Sequence, residues 1–273
     1  MPEAWGSTGD AAIVVLPTPA AVALSAAERV ADALSDAVSK RGRADWATTG
    51  GSSPIGIYRE LAQAPLRDAV PWRAVHVWWG DDRYVPRDHP LSNVLPLDEI
   101  LLRRAPEDLA AGFDPGAPIP VANLHVIPMD AAIGLDHDPG WAAKVYEREL
   151  REAPLAHSPT GIPILDVVLV GAGADGHVLS VFPDSRVFDS GAWVAGIPAP
   201  THIEPRVPRV SLNPAFLAAA RLSLVIITGQ AKAAMVGEVL GPERDPLQWP
   251  IQHARRANAV WLLDEAAAAQ IQR

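Results

Sequence analysis

The chain has 273 residues, 49% of them apolar, a formal net charge of −9 and no cysteine. That acidity excludes a general nucleic-acid surface, although local cations can still hold an anionic substrate. The absence of thiols excludes disulfides, thiolate nucleophiles and cysteine-ligated metals, and no run approaches membrane-spanning length. No basic region followed by an apolar core opens the sequence, so the expectation is a cytoplasmic protein. Length, the lack of an internal repeat and the absence of a linker-like segment fit a single domain over residues 1–273, with residues 1–10 a frayed terminus. Pro106–Pro120 and Ala153–Pro163 read as surface connections.

Ile13–Leu16 reads as a first, peripheral strand. A helix follows, with Ser25 and Glu28 at capping-box spacing, Val30, Leu34 and Val38 recurring every four residues, and Gly42 as its stop. Asp45–Thr49 is a short strand running into Thr49-Gly50-Gly51-Ser52-Ser53-Pro54. Here Gly50 and Gly51 let backbone N–H groups approach a ligand, Ser53 caps the next helix and Pro54 takes its first position. A glycine loop feeding a helix N-terminus is an anion site; the bland alternative is an ordinary strand-to-helix turn. It is not a Walker loop, because no Gly-Lys-Ser/Thr closes it.

Val75–Trp79 is the next strand and ends in Gly80-Asp81-Asp82-Arg83, either a solvated turn or a charged cluster on the carboxyl edge of a sheet. His89 reads as a surface histidine. Asn93 either fixes a loop or meets substrate hydroxyls. Leu97, Ile100 and Leu101 mark a helix, Leu124–Ile127 a strand, and Asp138-Pro139 opens a helix whose charged residues form a solvated face.

The stretch Ile164–Pro183 carries the densest chemistry. A Val-rich apolar run, Leu165–Val170, stops at Gly171-Ala172-Gly173, and Asp175 and His177 follow with Gly176 between them. A carboxylate and an imidazole then stand at the carboxyl end of a buried strand, where open α/β sheets bind ligands. The histidine is a candidate acid–base group and the aspartate its orienting partner. Gly171, Gly173 and Gly176 also spell G-x-G-x-x-G, but no helical stripe follows and no second strand ends in an acid at the expected distance.

Pro183–Pro205 is irregular and Pro-rich, a candidate covering loop. Arg209–Leu212 is a short extended piece, Asn213-Pro214 caps a short helix, and Leu222–Thr228 is a strand. Lys232, one of only three lysines, then falls in the first turn of a helix, where a cation opposes the dipole unless an anion is bound. Ala259–Leu263 is the last strand and Asp264 caps a terminal helix. Strand and helix alternate throughout, the pattern of a doubly wound, mostly parallel α/β sheet with helices on both faces. Four polar constellations, Thr49–Ser52, Asp81–Arg83, Asp175–His177 and Lys232, each follow a strand and so converge on one edge.

These motifs carry a resemblance over nearly the whole chain. Thr49-Gly50-Gly51-Ser52-Ser53-Pro54, Gly80-Asp81-Asp82-Arg83-Tyr84-Val85-Pro86, Ser92-Asn93, Gly171-x-Gly173-x-Asp175-Gly176-His177, Phe182-Pro183, Arg209–Leu212 and Thr228-Gly229 with Lys232 are those of the sequence. Together they resemble the 6-phosphogluconolactonases, within the broader glucosamine-6-phosphate isomerase/deaminase-like group. The resemblance implies hydrolysis of 6-phosphoglucono-δ-lactone to 6-phosphogluconate in the pentose phosphate pathway, with no metal or organic cofactor. It implies His177 as general base, Asp175 as its orienting group, and Thr49, Gly50, Gly51, Ser52, Arg209 and Lys232 around the phosphate. Asp81, Arg83 and Asn93 join the binding set, Arg83 near the lactone or its phosphate. The partner implied is a small sugar-phosphate lactone, with neither nucleic acid nor membrane, bound by a monomer or weak homodimer.

A lactone is an activated ester, so a base, a placed water and oxyanion stabilisation suffice, and no G-x-S-x-G elbow is present. Departures from the group pattern are Asp82 in place of Glu, Val178-Leu179 after the histidine, and His89-Pro90-Leu91 before Ser92-Asn93. Two rivals remain. An amino-sugar-phosphate deaminase or isomerase needs a further carboxylate soon after Asp-Gly-His, where Ser180-Val181-Phe182-Pro183 stands instead. A non-catalytic sugar-phosphate-binding regulator would have no need of both His177 and Asp175.

Overall fold

The computed structural model describes residues 3–5, 11–102 and 116–271. Its strands are β1 (Glu3–Trp5), β2 (Ala11–Leu16), β3 (Ala44–Thr48), β4 (Val75–Trp79), β5 (Asp81–Arg83), β6 (Leu124–His125), β7 (Val167–Gly171), β8 (Val194–Ile197), β9 (Arg209–Leu212), β10 (Leu222–Ile227) and β11 (Ala259–Asp264). Eight of them form one sheet in the order β1-β2-β11-β10-β7-β3-β4-β6, parallel throughout except for β1, which pairs antiparallel with β2. The other three form a small antiparallel sheet, β5-β9-β8.

The main sheet is the expected mostly parallel α/β design, and its order locates the crevice. From β3 the chain moves outward through β4 to β6, then returns to β7 on the other side of β3 and moves outward through β10 to β11. The loops leaving β3 and β7 therefore diverge, and the space between their carboxyl ends is the topological switch point where such sheets bind ligands. Those two loops are Thr49–Ser53 and Ala172–His177.

Burial explains the rigidity of this edge. Trp46, Trp78, Trp79 and Trp261 are fully buried in strands β3, β4 and β11. Each ring withdraws about 150–250 Å² from water, a gross gain of roughly 4–6 kcal/mol. Three of the four indoles also donate: Trp78 Nε1 to Asp45 Oδ1 at 2.9 Å, Trp79 Nε1 to the Asn93 carbonyl at 3.1 Å and Trp261 Nε1 to the Ala254 carbonyl at 3.0 Å. The Trp79 bond ties the Asn93 loop to the sheet.

Helix α1 (Pro19–Arg41) begins earlier than the Ser25 spacing suggests. Thr18 is its N-cap, accepting from Ala21 N at 3.1 Å, and Pro19 fills the first position, so Ser25 lies inside the helix. The Thr-Pro pair outcompetes the capping box because it satisfies a free N–H and pre-sets φ together. Gly42 ends α1 as expected, at φ 74°. Helix α2 (Ser52–Leu61) also starts early: Gly51, at φ 84°, is its N-cap, Pro54 is third, and no side chain caps it. The first turn's N–H groups thus stay uncapped by any side chain.

Helix α3 (Leu66–Ala69), a π-type turn at Leu97–Leu102 and helix α4 (Met129–Gly134) follow. Helix α5 (Pro139–Glu152) opens on Asp138, which accepts from Trp141 N at 2.9 Å. Helices α6 (Ala215–Ala219) and α7 (Ala233–Val239) complete the set. Among the described residues no helix is long and apolar enough to cross a membrane.

Other expectations need correction. Ile13–Leu16 is not peripheral: β2 lies between β1 and β11, and residues 3–5 of the supposedly frayed terminus form the edge. Pro183–Pro205 is not wholly irregular, since it contains β8. Residues 106–115 of the supposed Pro106–Pro120 surface connection lie outside the described residues, and Ala117 and Ile119 in its remainder are buried. Among the described residues no helix follows Asp264; its carboxylate caps a turn through Ala267 N at 2.8 Å and also accepts from Gly229 N at 2.9 Å.

Candidate active site

A cleft of about 190 Å³ opens at the carboxyl edge of β3 and β7. Its floor carries the uncapped start of α2, with Thr49, Gly50, Gly51, Ser52 and Ser53; one wall carries Gly171–Gly173 and His177 and, after β10, the neighbour of β7, Lys232; the other carries Asp81, Arg83, Asn93 and Arg209. Every site residue inferred from the sequence lines this cleft except Asp175, which bonds to His177 from behind.

The His177 turn is shaped by its glycines. A Cβ at Gly173 would collide with His177 Nδ1 and Asp175 Oδ1, and Gly176 has φ 77° with Trp249 stacked where its side chain would be. The ring of His177 is thereby held with Nδ1 2.6 Å from Asp175 Oδ1. Asp175 Oδ1 also accepts from His177 N at 3.3 Å, and Oδ2 lies 3.0 Å from His202 Nε2. Burial acts to raise the Asp175 pKa, but hydrogen bonding and charge from His177, then His202, hold the carboxyl well below the usual carboxylate range. Asp175 is thus an anion that accepts from Nδ1, leaving Nε2 as the free nitrogen of His177.

The opposite wall concentrates positive charge where packing opposes it. Arg83 and Arg209 stand directly across the β5:β9 ladder from one another, and Arg209 is only 3% exposed. Like charges in register destabilise a sheet. The guanidinium Nε of each is buried with no hydrogen-bond partner among the described residues, as is Asn93 Oδ1. What the two arginines do bind is backbone: Arg83 NH1 donates to the Leu91 carbonyl at 2.8 Å and Arg209 NH2 to that of Pro205 at 3.2 Å. Burial lowers the pKa of Arg209 and of Lys232. An anion between them would offset both the desolvation and the repulsion.

Asp81 is buried and serves as the brace of that wall. Ser180 Oγ donates to its Oδ2 at 2.7 Å and Thr49 Oγ1 to its Oδ1 at 3.4 Å, so it links the β3 and β7 loops. The Asp81–Arg83 segment is a buried strand rather than a solvated turn. Asn93 Nδ2 donates to the Asp81 carbonyl at 2.8 Å and its Oδ1 presses on Gly50, where a Cβ could not fit. Asp82 faces away from the cleft: its Oδ1 accepts from Arg83 N and Asn93 N, both at 2.7 Å, and burial pushes its pKa up to about 7.

Lys232 caps α7 after a short 3-10 turn, rather than lying inside the helix. Two residues around the site gave no usable signal in sequence: His202 sits in a Pro-rich stretch with no periodic neighbour, and Trp249 reads as an isolated aromatic. Phe182, by contrast, was part of the Phe182-Pro183 motif. Phe182 packs 4.9 Å from the His177 ring and 5.4 Å from that of His202, with the Arg209 guanidinium 5.2 Å from its centroid.

The family of glucosamine-6-phosphate isomerases and 6-phosphogluconolactonase matches residues 17–262, nearly the entire described chain. The chain belongs to this family. Within the isomerase/lactonase family, the 6-phosphogluconolactonase of Streptomyces coelicolor is 34% identical over 257 residues, spanning 92% of this chain and 91% of the relative. That of Mycobacterium tuberculosis is 34% identical over 263 residues, 95% and 98% of the two chains. A solved 6-phosphogluconolactonase structure from Trypanosoma brucei superposes with a TM-score of 0.79 at 26% identity, covering 95% of this chain and 98% of its own.

Proposed function

We propose that this protein hydrolyses 6-phosphoglucono-δ-lactone to 6-phosphogluconate, with His177 as the general base. The observation that carries the proposal is the pairing, across one cleft, of a carboxylate-backed imidazole with two guanidinium groups whose buried Nε atoms have no partner among the described residues. Lactonase relatives at 34% identity over nearly their full length support the same reading.

In this reading the phosphate sits between Arg83, Arg209, Lys232 and the N–H groups of Gly51–Ser53, the binding energy of a group remote from the reacting carbon being used for orientation. His177 takes a proton from water on Nε2 as the water oxygen bonds to the lactone carbonyl carbon. Asp175 stabilises the imidazolium that results. The ring C–O bond then breaks, and His177 returns the proton to the departing oxygen. Asn93 Oδ1, buried and unpaired, accepts from a sugar hydroxyl. No observation favours a deaminase: Asp184, the first carboxylate after His177, is exposed and outside the cleft, and Ser180 is used by Asp81.

His177→Asn tests the proposal. General-base help is worth about 10²–10⁴-fold, so kcat above the spontaneous rate falls by at least about 10²-fold while 6-phosphogluconate still binds. Turnover near the wild-type rate would remove His177 from the mechanism.

A further inference from the structure

Asp175 serves two imidazoles, and only one belongs to the strand-end turn. The second, His202, comes from the segment between β8 and β9 and is half exposed, with Nε2 3.0 Å from Asp175 Oδ2. Three residues further on, the Pro205 carbonyl accepts from Arg209 NH2 at 3.2 Å. One short strap therefore touches the outer oxygen of the dyad carboxylate and the guanidinium on the opposite wall. The edge of Phe182, packed against both histidines and under Arg209, fills the space between them.

We infer that His202 is a positioning residue for the reaction: it holds the Asp175 carboxylate in the plane that presents Oδ1 to His177 Nδ1. The inference rests on the general-base reading given above. The geometry supports it in two ways. A carboxylate on a loop can rotate about its Cβ–Cγ bond, and the bonds His177 makes to Oδ1, 2.6 Å from Nδ1 and 3.3 Å from the backbone N, leave Oδ2 unheld. A second donor on Oδ2 fixes that rotation, leaving one orientation in which Nδ1 is satisfied and Nε2 faces the cleft. The same donor also draws charge away from Oδ1, so His202 restrains the basicity that Asp175 confers on His177. The groups facing Asp175 are His177 and the backbone of its own turn, His202 on the strap, and Arg209 on β9. Glu204 and Arg206 on the strap pair with one another at 3.1 Å.

The test is a comparison of His202→Ala and His202→Gln by steady-state kinetics over pH. Because His202 is half exposed, both variants are expected to melt near the wild-type temperature. His202→Ala is expected to lower kcat about three- to tenfold, the scale of one part-exposed hydrogen bond to a charged group, with KM nearly unchanged. The acidic limb of its kcat/KM profile is expected to move to higher pH, because Oδ1 regains charge. His202→Gln, whose amide can donate to Oδ2, is expected to recover most of kcat. In a His177→Asn background, His202→Ala should change turnover no further, since its effect passes through His177.

Wild-type kcat together with an unmoved acidic limb in His202→Ala would overturn the inference. So would a rise in KM alone, which would assign the strap to phosphate binding through Arg209. So would an equal kcat loss in the His177→Asn background. Failure of the general-base reading itself shows separately, as His177→Asn retaining turnover while His202 is intact.

Discussion

Replacing Arg209 with methionine separates binding from folding more cleanly than any other change at the site. The methionine keeps most of the length of the apolar stem and removes the guanidinium, which lies 5.2 Å from the Phe182 ring centroid and whose Nε is buried with no partner among the described residues. A lost charge-assisted contact to phosphate removes about 1.5–3 kcal/mol, so the Kd for 6-phosphogluconate should rise about 10- to 150-fold. The free protein should lose little. Relief of the repulsion from Arg83 across the ladder and of an unsatisfied donor offsets the lost bond to Pro205, leaving stability within about 1 kcal/mol of wild type. Thermal melting reads both quantities. At a ligand concentration 100 times the wild-type Kd, binding adds about 2.7 kcal/mol to the wild type. A 30-fold weaker variant gains only about 0.9 kcal/mol at that concentration. For a domain near this size those increments correspond to melting shifts of about 5–10 °C and about 2–3 °C. Calorimetric titration with 6-phosphogluconate and with unphosphorylated gluconate supplies the control. An unchanged Kd for the phosphorylated ligand, or an equal loss for gluconate, would refute the assignment of Arg209 to the phosphate.

Two further outcomes are expected. Asp82→Asn should stabilise the protein increasingly as pH rises from about 4 to about 7 and level off above. The sign follows from a carboxyl pKa raised by burial: the folded state keeps its proton while the unfolded chain ionises, so wild-type stability falls across that window. The plateau difference is on the order of 2–4 kcal/mol, and a difference independent of pH in chemical denaturation would reject it. Gly173→Ala should push the new Cβ into His177 and Asp175. A displacement of about 1 Å costs about 10²-fold in rate. A kcat loss of roughly that size, with 6-phosphogluconate affinity kept, is expected, and wild-type kcat would show that the turn relaxes freely.

The legible parts of the site were those where local chemistry and fold agree. Gly50-Gly51 and Gly171–Gly176 follow apolar strands, and glycine takes φ 84° at Gly51 and φ 77° at Gly176 more readily than any other residue, so sequence marks them as tight turns at a sheet edge. The main sheet was legible because short apolar runs alternate with helical patterns along the chain. The small sheet was not. Asp81–Arg83 has the composition of an exposed turn, and it is buried only because Ser180, Ser92, Asn93 and the backbone of β9 supply partners from distant positions. The same applies to Asp82, an internal anchor for Asn93. His202 was invisible because nothing local selects it; its partner lies 27 residues away.

The two edges of the sheet show why the arginine count alone says nothing about binding. At the amino edge Arg41, Arg43 and Arg221 surround Asp45 and Asp166, and each guanidinium has a carboxylate: Arg41 to Asp166 at 2.5 Å, Arg43 to Asp45 at 2.7 Å and Arg221 to Asp166 at 3.1 Å. Asp166 Oδ2 also accepts from Asp45 N, which locks the start of β3 to the segment leading into β7. That network is closed, and a ligand entering it would have to displace an ion pair. At the carboxyl edge Arg83 and Arg209 face one another, their bonds run to backbone carbonyls, and Asp81, a carboxylate whose charge acts on Arg209, is occupied by Ser180. Burying two cations without closing the network destabilises the free protein, and only a bound anion removes that penalty. The unmatched charge, rather than its amount, is what supports the proposal that the carboxyl edge binds the anion and that the amino edge is scaffold.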